Sequence, residues 1–205
     1  MNPTKEHHTW LQRLESLHPY ETMLYLGMLG SGFIFLYLTA AFLLTDQNRP
    51  ESASLQMPVA FLISTAVLVL SGFTASKMRL HCQEEDISRL ESSLRATFLL
   101  GVVFAVLQFA GWKELTAMGI KFTGLPSGSY LYVLSGIHIF HLVGAMVFAV
   151  ILLAKLRKTQ EDGVQKLIWM TNPFEKMRIR LFTVYWHFMD LVWIVLFLVF
   201  VLRIR

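Results

Sequence analysis

Histidine and aspartate are rare inside long apolar runs, yet this sequence places four of them there at helical spacing. His138 and His141 stand three residues apart, and so do His187 and Asp190. Residues three apart on a helix share a face, so each pair points one way. Imidazole and carboxylate are the groups that bind metals, ligate haem or pass protons near neutral pH. A haem held between two helices needs histidines at matching depths on both, and His138, His141 and His187 do not form two such pairs. The alternative is structural: interhelical hydrogen bonds of about 0.6–2 kcal/mol each, which fix the register of neighbouring helices. With no cysteine nearby and one acidic partner, that reading is favoured. It predicts a structural polar network of His138, His141, His187, Asp190 and Gln108, with no metal, cofactor or catalytic residue in this chain. Asp190 and His141 fall at similar mid-membrane depths on antiparallel helices, where they could pair.

Other groups are placed for lipid rather than for chemistry. Arg95 opens an apolar run, where its stem can lie in the apolar layer while the guanidinium reaches phosphate or simply water. Lys155, Arg157 and Lys158 form a basic segment after another run and are expected, with Arg95 and Trp186, to contact phospholipid. The single cysteine, Cys82, supports neither a disulfide framework nor a cysteine-rich metal site. No catalytic dyad and no phosphate-cradling glycine loop is present, so the chain does not read as a self-sufficient enzyme.

The elements that must position these residues are membrane helices. Of 205 residues, 55% are hydrophobic and 16% charged, and the mean hydropathy is +0.52, a balance that belongs to a bilayer rather than to a soluble domain. Apolar runs at 24–44, 57–76, 94–112, 132–154 and 181–202 each approach the roughly 20 residues that a helix needs to cross the hydrocarbon. None alternates as a membrane strand does, so the fold class is an all-α integral membrane protein of five transmembrane helices. Residues 24–205 form one membrane domain, preceded by a cytoplasmic or interfacial segment, 1–23.

Lysine and arginine outside the runs set the orientation: twelve lie on the N-terminal side and five on the other. The N-terminus is therefore expected in the cytoplasm and the C-terminus outside. This loop bias also accounts for the net charge of +4 without a nucleic-acid partner. Trp10, Leu11, Leu14 and Leu17 recur at helical spacing before Pro19, which marks a short amphipathic helix. It lies either on the inner membrane surface or against a partner protein.

The string Tyr185-Trp186-His187-Phe188-Met189-Asp190-Leu191-Val192-Trp193 resembles the last-helix signature of haem-copper oxidase subunit III, in which Trp-His-Phe is followed by Asp and then Trp. The stretch from Ser129 to His138, with His141, is similar to the family segment that carries a glycine and two histidines three apart. Leu107 to Trp112 resembles the end of the preceding helix, and Leu68 to Ser76 its serine-rich counterpart. All five runs fall in family order, most like the bacterial cytochrome c oxidase members. Two departures stand out. Longer members have seven helices, and this chain lacks the first pair, as short bacterial subunits III do; those helices wall a lipid-filled cleft, here either absent or walled by subunit I. The family also places a buried glutamate after a serine in its third helix, where Gly30-Ser31-Gly32-Phe33 has glycine.

The resemblance implies a non-catalytic subunit of a proton-pumping terminal oxidase in the bacterial inner membrane. Its direct partner would be subunit I, with subunit II in the same complex, phospholipid bound, and a respiratory supercomplex as the largest assembly. Haem and copper would sit in the partner subunits. A quinol oxidase subunit III would share these features. A small proton-coupled carrier using His141, His187 and Asp190 is the reading from another class, but inverted repeats and a midspan proline are missing.

Overall fold

A computed structural model of the chain describes residues 18–46, 57–120, 122 and 126–204. The amphipathic segment expected before Pro19 lies outside them. Among the described residues the chain is helical, without strands. The six helices are α1 (Pro19–Asp46), α2 (Val59–Gln83), α3 (Ile87–Ala117), α4 (Pro126–Glu161), α5 (Gly163–Thr171) and α6 (Pro173–Ile204). All but α5 are long and apolar enough to cross a membrane. The five expected runs are thus recovered within longer helices that continue into polar sequence, except that α2 starts at Val59, two residues inside its run.

Local chemistry explains where the helices begin. Pro19, Pro126 and Pro173 are each the first helical residue, a position where proline's fixed φ suits the helix and its missing N–H costs nothing. Pro19 thus opens a helix, and residues 126–129, ahead of the expected run at 132–154, are the first turn of α4. Asp86 caps α3 by accepting from the Arg89 N–H at 3.0 Å, and Asp162 caps α5 by accepting from the Val164 N–H at 2.9 Å. The nine-residue α5 was not anticipated.

Helices α2, α3, α4 and α6 close a four-helix ring, each packed on the next, and α1 lies outside it over the seam between α4 and α6. Two core layers fill the ring. One, around Leu68, Leu94, Phe104, Leu142 and Trp186, lies toward the α5 end. The other, around Phe61, Leu115, Leu134 and Phe200, takes in Phe35 and Phe42 from α1. Trp186 of α6 reaches across the ring to α3 at Gly101, where a Cβ would stand 2.9 Å from the indole Cη2. Only glycine leaves room for the ring there, which is how a small residue lets two membrane helices share one large side chain.

Candidate functional site

The four mid-helix residues that opened the sequence analysis are near one another along the bundle but do not converge. His187 Nδ1 lies 3.5 Å from Asp190 Oδ2 on the same helix, and its Nε2 lies 3.2 Å from the Ser76 hydroxyl of α2. Asp190 is pressed against α2 at Gly72, where a Cβ would stand 2.5 Å from Oδ2. Its other oxygen, Oδ1, is buried without a hydrogen-bond partner among the described residues.

His141 turns the other way, toward α1. Its Nδ1 is 2.8 Å from the Ile137 carbonyl, one turn back on α4. A carbonyl only accepts, so Nδ1 carries the proton in the neutral ring and Nε2 accepts from the Ser31 hydroxyl 3.1 Å away. His141 and Asp190 therefore do not pair across helices as the sequence allowed; each is taken by a different neighbour. His138 is buried, with Phe104 and Trp193 rings 5.6 and 5.2 Å away. Neither of its nitrogens has a partner among the described residues. Gln108 donates to the Ser64 hydroxyl at 2.8 Å, linking α3 to α2. Among the described residues no three His, Cys, Asp or Glu side chains come together as metal ligands would.

Trp186 corrects one expectation. It is fully buried and its indole N–H donates to the Ser71 hydroxyl at 3.1 Å, so it is a core side chain out of reach of any headgroup. The same arrangement recurs at Trp193, which donates to Thr65 at 3.0 Å, and at Trp112, which donates to Ser135 at 2.9 Å. Sequence reasoning missed these tryptophan–hydroxyl clasps. Their signal was the hydroxyls Thr65, Ser71 and Ser135 standing within apolar runs, each of which takes one indole N–H.

The basic residues assigned to lipid have carboxylate neighbours that the sequence reading overlooked. Glu91, nearly buried at the start of α3, pairs with Arg95 one turn on and with Arg157 of α4 at 3.2 Å. It also accepts from Gln160 at 2.7 Å. Lys155 pairs with Glu175 of α6 at 2.5 Å, and Arg180 pairs with Glu21 of α1. Lys176 reaches Glu85, in the turn between α2 and α3, at 2.8 Å. At this end of the bundle carboxylates thus tie α3 to α4, α4 to α6, α1 to α6 and the α2–α3 turn to α6, while Lys158 is exposed. Arg95, Lys155 and Arg157 remain about half-exposed. Between α1, α4 and α6 the same end holds an apolar groove of about 540 Å3, lined by Tyr20, Leu24, Phe148, Phe174 and Phe182, with Arg178 the charged residue of its lining.

Residues 19–203 match the family model described as cytochrome c oxidase subunit III, a range that begins at the first residue of α1 and ends one short of the last of α6. The chain is 28% identical over 170 residues to the probable cytochrome c oxidase subunit 3 of Nocardia farcinica, covering 83% of this chain and 78% of that one. It is 29% identical over 180 residues to cytochrome c oxidase subunit 3 of Bacillus sp. PS3, covering 86% and 81%. With the probable subunit 3 of Mycobacterium tuberculosis it shares 30% identity over 135 residues, or 66% of this chain and 62% of that one.

Proposed function

The chain belongs to the cytochrome c oxidase subunit III family, and on that premise we propose that it braces the catalytic subunit of a proton-pumping oxidase and holds structural phospholipid beside it. It is a multi-pass protein of the bacterial inner membrane. The observation that carries the reading is how its intramembrane polar groups are used. Trp186, Trp193, Trp112, Gln108 and His141 each bond a hydroxyl on a neighbouring helix, which stiffens the bundle as a scaffold requires. Haem and copper belong, in this reading, to partner subunits, with subunit I in direct contact and subunit II in the same complex.

For lipid, the groove between α1, α4 and α6 suits an acyl chain, and Arg178 with the half-exposed Lys155, Arg157 and Arg95 suits a phosphate at the same end. Each of those cations would share its charge between phosphate and a carboxylate. Positive residues concentrated at that end support a cytoplasmic side for it. The test is a turnover time course on oxidase purified with and without this chain, recording initial rate and inactivation separately. A similar or modestly lower initial rate followed by faster decay is expected, because a partner that binds only the folded state stabilises it by mass action. Loss of haem or copper, with no initial activity, would refute the bracing role.

A further inference from the structure

Of the three mid-helix histidines, His187 opens outward beside an exposed hydroxyl. His138 is buried among aromatic rings, and His141 lies under α1, bonded to Ser31. The His187 side chain is 41% exposed, whereas Asp190, one turn deeper, is 11% exposed. Ser76, its partner on α2, is exposed as well.

This opening lies too deep for a headgroup. Arg180, which pairs with Glu21, sits seven residues nearer the basic end on the same helix, so His187 is about 10 Å farther into the apolar layer. Acyl chains there offer nothing to hydrogen-bond, and ionisable groups at membrane depth face protein or water. The Ser76 hydroxyl also lies 3.1 Å from the Gly72 carbonyl, to which it donates. With that proton committed, His187 Nε2–H donates to Ser76 Oγ, and a second lone pair on that oxygen is left for an outside donor.

The surroundings have the shape of a helix seat. From His187, exposed Leu191, Ile194 and Leu198 continue along α6, while from Ser76, exposed Val69 and Leu62 continue along α2 in the antiparallel direction. The Trp193–Thr65 bond keeps these two rows in register. Helix α1 covers the α4 side of α6 and leaves the α2 side open.

We propose that the α2–α6 face around His187 and Ser76 docks a transmembrane helix of a neighbouring oxidase subunit, through apolar packing and one hydroxyl or amide donor aimed at Ser76. The proposal rests on the reading of this chain as an oxidase subunit and names the face it uses. Benzoylphenylalanine is placed at Leu191, and as a control at Ile151, exposed on α4 away from this face, in cells that make the whole oxidase. Irradiation is expected to join the Leu191 probe to another oxidase subunit, identified by mass spectrometry, and to give no such adduct from Ile151. In parallel, His187→Leu should lower the fraction of this chain retained on the detergent-purified complex about threefold to tenfold, the loss expected of one interhelical bond in a membrane. Lipid adducts alone, a second copy of this chain, or subunit adducts from Ile151 only, with the complex intact, would overturn the docking face and leave the oxidase reading standing. Purification of this chain free of every oxidase subunit would overturn both.

Discussion

Replacing Gly101 with alanine tests the packing at the centre of the bundle. The added Cβ would stand 2.9 Å from Trp186 Cη2 and 3.4 Å from Cζ2. The indole cannot retreat freely, since it is fully buried and its N–H is held by Ser71. Overpacking of this kind costs about 1–3 kcal/mol. Against it stands the intrinsic gain of alanine over glycine in a helix, about 1 kcal/mol, which a control removes. Gly144→Ala makes the same exchange where nothing lies within 4 Å, so Gly101→Ala should be less stable than Gly144→Ala by about 1–3 kcal/mol. Stability is read from reversible unfolding in mixed micelles with increasing sodium dodecyl sulfate, followed by far-ultraviolet circular dichroism. In a Trp186→Phe background the penalty at position 101 should shrink by about 1–2 kcal/mol, the coupling expected of residues in direct contact. Equal stabilities for the two alanine variants, or the same penalty with and without the indole, would refute the argument that Gly101 exists to admit Trp186.

Glu91→Gln should cost about 1 kcal/mol in the same unfolding assay, because the Arg95 and Arg157 pairs it weakens are half in water and each is worth a fraction of that; no change would mean that the cluster does not hold α3 to α4. Gln108→Leu should stay within about 1 kcal/mol of the parent, since it removes one bond to Ser64 together with a buried oxygen that has no partner among the described residues. A much larger loss would reveal an acceptor role for Gln108 Oε1. Alkaline phosphatase fused after Arg205 should be active and a green fluorescent protein there dark, the reverse pair being incompatible with an external C-terminus.

The membrane spans were legible because a helix in hydrocarbon must satisfy its own backbone and be apolar over its whole crossing length. Helix ends were not, since the same helices run on through polar sequence where hydropathy carries no signal, as α4 does from 154 to Glu161. The short α5 was invisible to a reading based on crossing length, although Asp162 before it is a recognisable cap. At the polar sites, the sequence marked which residues are polar within the apolar runs but not which partners they take. Glu91 binds Arg157 and Gln160 across 66 and 69 residues of sequence, a pairing that only the closure of α3 on α4 creates. Trp186 was misplaced for a related reason: tryptophan at a membrane surface and tryptophan inside a bundle look alike until helix rotation is known.

The outlying position of α1 bears on how the chain is made. Its packing partners are α4 and α6, and between the end of α1 at Asp46 and the start of α4 at Pro126 lie about 80 residues still to be translated. At about 5–20 residues per second that is about 4–16 s, and longer for α6. During this interval α1 must live in the bilayer as a lone helix while α2 and α3 assemble beside it without binding it. Its many exposed apolar side chains, among them Met23, Leu26, Phe33 and Leu36, make that solitary period tolerable, and its seat is complete only when α6 has joined α4.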